Sequence, residues 1–122
     1  MELLSAVVIF FVALLHIYFL VLEMFLWDKP AGMKAFALTA QRAADTKVLA
    51  ANQGLYNGFL AAGLLWGLFQ GAAGTEFKVF FLVCVLVAGL YGALSVSRKI
   101  LYIQALPAAL ALLLVGLTCF SV

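Results

Sequence analysis

Four stretches of this sequence, at about 3–27, 47–70, 77–97 and 100–120, are long and apolar enough to cross a hydrocarbon core as helices. A helical span takes about 20 residues. No other feature constrains the chain so tightly, and composition agrees with it. Of the 122 residues, 68% are hydrophobic and 10% charged, with seven Lys or Arg and five Asp or Glu. A soluble domain carries about 25% charge, and one this small exposes too much surface to manage with less than half of that. The same numbers exclude a disordered chain and leave no dense basic face for nucleic acid. The expected fold is all-α: a polytopic, four-helix transmembrane bundle in the cell inner membrane, one domain over residues 1–122.

The first apolar stretch differs from a signal peptide. It opens on Met1-Glu2 with no basic region, outruns the usual apolar core, and lacks a small-x-small cleavage site before Trp27. It is expected to be a retained helix. The connections then set orientation. The first holds Lys29, Lys34, Arg42 and Lys47, the third Arg98 and Lys99, and the second only Lys78. The positive-inside rule places the first and third in the cytoplasm and both termini outside.

Within the first connection, residues 28–46, Asp28-Lys29-Pro30 reads as a helix start with Asp28 able to cap. Met33, Phe36, Ala37 and Ala40 recur at helical spacing, as in an amphipathic segment lying on the membrane surface. Thr39 is placed to cap a second helix that runs on into the second span.

Polar side chains inside spans are costly and usually face the protein interior. Under the orientation above, most of them gather toward the cytoplasmic side. His16 falls near mid-membrane and Glu23 roughly 10 Å further inward, at 1.5 Å per residue. His16, Leu20, Glu23 and Trp27 share one face of an extended first helix. Asn52, Gln53, Tyr56 and Asn57 form a polar flank of the second span. Tyr91, Ser95 and Arg98 share a face near the end of the third, and Tyr102 and Gln104 open the fourth. Pro107 follows and frees the carbonyl of Ile103. The outer half offers Trp66, Gln70, Thr75 and Thr118 among long apolar runs.

Two readings stand side by side. The polar groups line a cytoplasm-facing pocket, with Glu23, Asn52, Gln53, Tyr56, Asn57, Tyr91, Arg98, Tyr102 and Gln104 as candidate ligand-binding residues. Alternatively they are interhelical glue, at roughly 0.6 kcal/mol per pair, with Glu23 snorkelling or pairing with Lys47, Arg98 or Lys99. Glycine ridges, Gly54/Gly58 above all, suit close helix packing within one chain or between copies. Cys84 and Cys119 read as small apolar residues, without metal-ligand spacing. Phosphate loops, zinc-protease motifs and serine triads are absent, so no metal, no cofactor and no catalytic residue is assigned.

Three strings carry a resemblance: Leu22 to Trp27 (LEMFLW), Lys47 to Leu60 (KVLAANQGLYNGFL) and Gly89 to Pro107 (GLYGALSVSRKILYIQALP). They resemble a family of small four-span bacterial inner-membrane proteins catalogued as a domain of unknown function. That resemblance implies architecture and no activity. A looser topological likeness is to the membrane-associated proteins of eicosanoid and glutathione metabolism, four-span trimers that bind glutathione at a cytoplasm-facing site. It rests on Asn52 and on Arg98-x-x-x-Tyr102. This sequence departs from them in having Lys47 but no Arg near Asn52, and Glu23 on another helix would have to supply the acid.

The function expected is binding of a small polar or amphipathic molecule in the inner half of the bilayer, a glutathione-transferase-like membrane enzyme being one form of it. The alternatives are a small proton-coupled transporter or exporter, with His16 and Glu23 as proton relay, and a structural or regulatory membrane subunit. The expected partners are the lipid bilayer, further copies of the chain in a homo-oligomer and a small-molecule or lipid ligand, with no nucleic acid.

Overall fold

The computed structural model describes residues 1–120, and every regular element among them is helical. Five α-helices run in order: α1 (Glu2–Met24), α2 (Pro30–Ala35), α3 (Ala40–Phe69), α4 (Thr75–Ser95) and α5 (Leu106–Phe120). A 3₁₀ turn, Gly71–Gly74, precedes α4, and a π-helical turn, Leu101–Ala105, leads into α5.

Three segments are long and apolar enough to cross a membrane: Glu2–Met24, Gly71–Ser95 and Leu101–Phe120. The longer α3 is not among them, because Asn52, Gln53 and Asn57 dilute its apolar stretch. Large apolar side chains, such as Phe10, Phe11, Phe80, Val87 and Leu113, cover the exposed faces of the three segments. Water penalises such a surface and lipid does not.

The chain divides into two compact units, Met1–Ala13 with Ala62–Val122, and Leu14–Ala61. In the first, the buried face of α4 repeats at helical spacing through Leu82, Val85 and Gly89. Ala105, Ala108, Ala111, Leu114 and Val115 form the corresponding stripe of the π turn and α5. Small residues let these backbones approach closely: a Cβ on Gly89 would lie 2.6 Å from the Ala105 backbone nitrogen.

In the second unit the C-terminal half of α1 packs beside the N-terminal part of α3. The reversal between them is tight. The amides of Phe25 and Leu26 both donate to the carbonyl of Val21, and a Cβ on Gly32 would collide with the Leu26 carbonyl. Here the structure corrects two expectations. The helix stops at Met24, so Trp27 leaves the face it was expected to share with His16 and Glu23. Asp28 does not cap α2; Lys29 stands at that position without a side-chain bond, and Pro30 opens the helix. Thr39 does cap: its Oγ1 accepts from the Arg42 amide at 3.1 Å, and α3 continues unbroken for 30 residues.

Candidate functional site

The polar residues of the second unit fall into two levels on the α1–α3 pair. The lower one lies at the α1–α2 reversal. Asp28 Oδ2 accepts from Lys47 Nζ at 2.9 Å, an ion pair on partly exposed side chains. The Lys47 ammonium beside Asp28 holds its carboxyl below the usual carboxylate range. One residue back in each strand of the reversal, Trp27 Nε1 donates to Thr46 Oγ1 at 3.0 Å. Thr46 passes its own proton to the Arg42 carbonyl at 2.7 Å, and Phe36 lies against the Trp27 ring at 4.8 Å between centroids. Lys47 is thus committed to Asp28.

The upper level lies nearly three turns further along α3, ten residues beyond Lys47. Glu23 on the last turn of α1 accepts from Asn57 Nδ2 on α3 at 2.5 Å, and both residues are buried. Two glycines make the approach possible. A Cβ on Gly54 would meet Met24 Cγ at 2.7 Å and Glu23 Cβ at 3.1 Å, and one on Gly58 would meet Leu20 Cδ1 at 2.7 Å. The G-x-x-x-G ridge expected to suit helix packing therefore faces α1. His16, two turns before Glu23, is fully buried with its ring edge-on to Phe19 at 5.6 Å. Among the described residues no buried side-chain nitrogen or oxygen lacks a hydrogen-bond partner.

The remaining candidates of this unit, Asn52, Gln53 and Tyr56, are exposed. They occupy the flank of α3 beside the ridge that faces α1, within about a turn and a half of Asn57. An exposed amide flank on a helix packed into an otherwise apolar pair is the least ordinary surface of the unit.

Tyr91, Arg98, Tyr102 and Gln104 belong to the first unit. Tyr91 and Tyr102 are 73% and 65% exposed, and Arg98 is exposed. α4 ends at Ser95, whose hydroxyl donates to the Tyr91 carbonyl. Arg98 therefore lies in the turn beyond the helix, off the face it was expected to share with Tyr91 and Ser95. Gln104 is half-buried in the π turn. Sequence reasoning missed the two cross-links of the reversal. Their signal was present in the equal spacing of 19 residues from Trp27 to Thr46 and from Asp28 to Lys47.

The model of the family described as "Protein of unknown function (DUF1304)" matches residues 10–116. The chain belongs to this family. An "Uncharacterized protein YpaA" from Lactococcus lactis subsp. lactis (strain IL1403) is 30% identical over 115 residues, covering 93% of this chain and 97% of that protein. No solved structure matches the chain. The family match takes in both levels of the α1–α3 pair, so the Glu23–Asn57 bond and the Asp28–Lys47 ion pair lie inside the region that the family model describes.

Proposed function

We propose that this chain is a four-span protein of the cytoplasmic membrane, with both termini outside. Its role is to bind a small polar or amphipathic molecule in the inner half of the bilayer, beside Glu23 and Asn57. The observation that carries this reading is the exposed flank of Asn52, Gln53 and Tyr56 next to a buried carboxyl–amide pair. Amides turned to hydrocarbon without partners are costly. A bound ligand or a second copy of the chain relieves that cost, and a site between copies serves both. The Gly54/Gly58 ridge is occupied by α1, which leaves the polar flank as the surface of α3 available to another molecule.

Thermal unfolding of the protein in lipid nanodiscs, screened against cytoplasmic thiols, lipids and amphipathic drugs, tests the reading. A ligand that binds the native state alone raises apparent stability. The double variant Asn52→Ala/Gln53→Ala should abolish the shift while the Glu23–Asn57 bond remains. A shift that survives this variant would remove the site.

One observation favours a second reading, proton-coupled transport: His16 and Glu23 are both buried on α1, seven residues apart. Glu23→Gln would then abolish proton-coupled flux in vesicles while ligand affinity partly survives.

A further inference from the structure

A cleft of about 380 Å³ lies within the first unit, at the end where α1 begins, α5 finishes and the 3₁₀ turn enters α4. That volume is in the range of small-molecule sites. It shares no residue with the two polar levels described for the second unit. Its polar lining comes from helix ends distant in sequence: Glu2 and Ser5 of α1, Thr75 and Lys78 of α4, and Thr118 and Cys119 of α5.

These groups are arranged with opposite signs. Gly71, with φ of 60°, adopts a left-handed conformation that other residues rarely take, and its carbonyl accepts from Lys78 Nζ at 2.9 Å. An ammonium has three donors, so Lys78 is fixed at the cleft wall with two donors to spare. Thr75 Oγ1 gives its proton to the Ala72 carbonyl at 2.9 Å, and what it keeps for a ligand is acceptor capacity. Among the described residues the one ion pair is Lys47–Asp28. Glu2 and Lys78 therefore line the same cleft without neutralising each other. A simple anion is disfavoured by Glu2 and a simple cation by Lys78. A molecule carrying both charges satisfies each.

The position narrows the chemistry further. Three apolar segments end here, at the depth where a bilayer keeps its headgroups. Leu68 and Val115 complete the wall with apolar surface. We propose that this cleft binds a zwitterionic phosphoammonium group, with the phosphate on Lys78 and a primary ammonium on Glu2 and Thr75. This is the headgroup chemistry of phosphatidylethanolamine and of free phosphoethanolamine.

The full chain, loaded into nanodiscs with equal amounts of phosphatidylethanolamine, phosphatidylcholine and phosphatidylglycerol, tests it by native mass spectrometry of the retained lipid. Phosphatidylethanolamine should be retained in preference to the other two. Glu2→Gln and Lys78→Gln should each lower its retention at least about tenfold, the scale of one charge-assisted hydrogen bond. Lys78→Arg should keep it, which separates loss of charge from loss of fold. Alkylation of Cys119 in a Cys84→Ala background distinguishes the sources. Protection by soluble phosphoethanolamine identifies the headgroup alone as sufficient, and protection by the intact lipid alone identifies the lipid. Equal retention of all three lipids, or retention indifferent to both Gln variants, would overturn the proposal.

Discussion

The side-chain amide of Asn57 donates to the carboxyl of Glu23 at 2.5 Å, across 34 residues of sequence, and fastens α3 to the last turn of α1. Removing one partner leaves the other buried and unsatisfied, which costs more than losing a bond between exposed groups. Asn57→Ala should destabilise the protein by about 1–2 kcal/mol in detergent unfolding. Glu23→Gln should cost less, because an amide can still accept from Asn57. The double variant Glu23→Leu/Asn57→Leu should be less damaged than the two single Leu variants added together. Strict additivity would show that the two side chains act independently.

Four glycines should rank by what a methyl group would strike. At Gly89 it would meet the backbone and Cβ of Ala105 at 2.6–2.9 Å, atoms that move only with the helix. Gly89→Ala should therefore cost about 1–3 kcal/mol, the range for overpacking. At Gly54 the nearest backbone atom is the Leu20 carbonyl oxygen at 3.2 Å, and at Gly58 the obstacle is the flexible tip of Leu20. Both alanine variants should be milder. Gly116 has open space around it, so Gly116→Ala should be neutral or stabilising by up to about 1 kcal/mol through helix propensity. Thermal unfolding of the four variants gives the order directly.

The Asp28–Lys47 pair makes an acid-side prediction. The folded carboxyl titrates below its unfolded value of about 3.9. Its contribution to stability is thus complete above that value and disappears as pH falls through the lower, folded one. Trp27 reports on the same reversal through its bond to Thr46. In a Trp66→Phe background, Trp27 fluorescence should show an acid transition below about pH 4 that Asp28→Asn removes. High salt should weaken the pair at neutral pH as well.

Orientation can be read by thiol labelling in spheroplasts, using a Cys84→Ala/Cys119→Ala background. Lys29→Cys and Lys99→Cys should react only after the membrane is opened, and Ala73→Cys should react from outside. These positions follow the basic residues of the first and third connections against the single Lys78 of the second. The opposite pattern would invert the proposed topology and move the Glu23 level to the outer leaflet.

What the sequence makes legible here is periodic or local. Thr39 before a long helix, the Gly54/Gly58 ridge and the apolar segments all state a physical preference within a few residues of themselves. What it hides depends on where a helix stops. Trp27 and Arg98 were both projected onto helix faces, but α1 ends at Met24 and α4 at Ser95, so each lies in a turn with other neighbours. The polar end of the first unit was invisible for a related reason. Glu2, Thr75 and Thr118 come from three separate segment ends, and no spacing rule connects them. α3 shows a third limit. The amides that make it chemically interesting also lower its hydropathy below that of the other long helices.

Pro107 offers the most direct test of how a local sequence cause sets the packing of the first unit. Proline has no N–H to give the carbonyl of Ile103, and its ring crowds that carbonyl in a regular helix. The turn just before it, Leu101–Ala105, is π-helical, with the Leu106 N–H donating to the Leu101 carbonyl five residues back. Pro107→Ala removes the cause. The turn should revert to α-helical bonding, rotating the residues before it by about 100° relative to α5. Ala105 would then turn away from Gly89, its close neighbour on α4. Hydrogen exchange should slow at residues 103–108, where the ladder becomes regular, while thermal stability falls because the α4 contact is lost. Faster exchange across this stretch, or an unchanged melting temperature, would show that packing and not Pro107 holds the turn open.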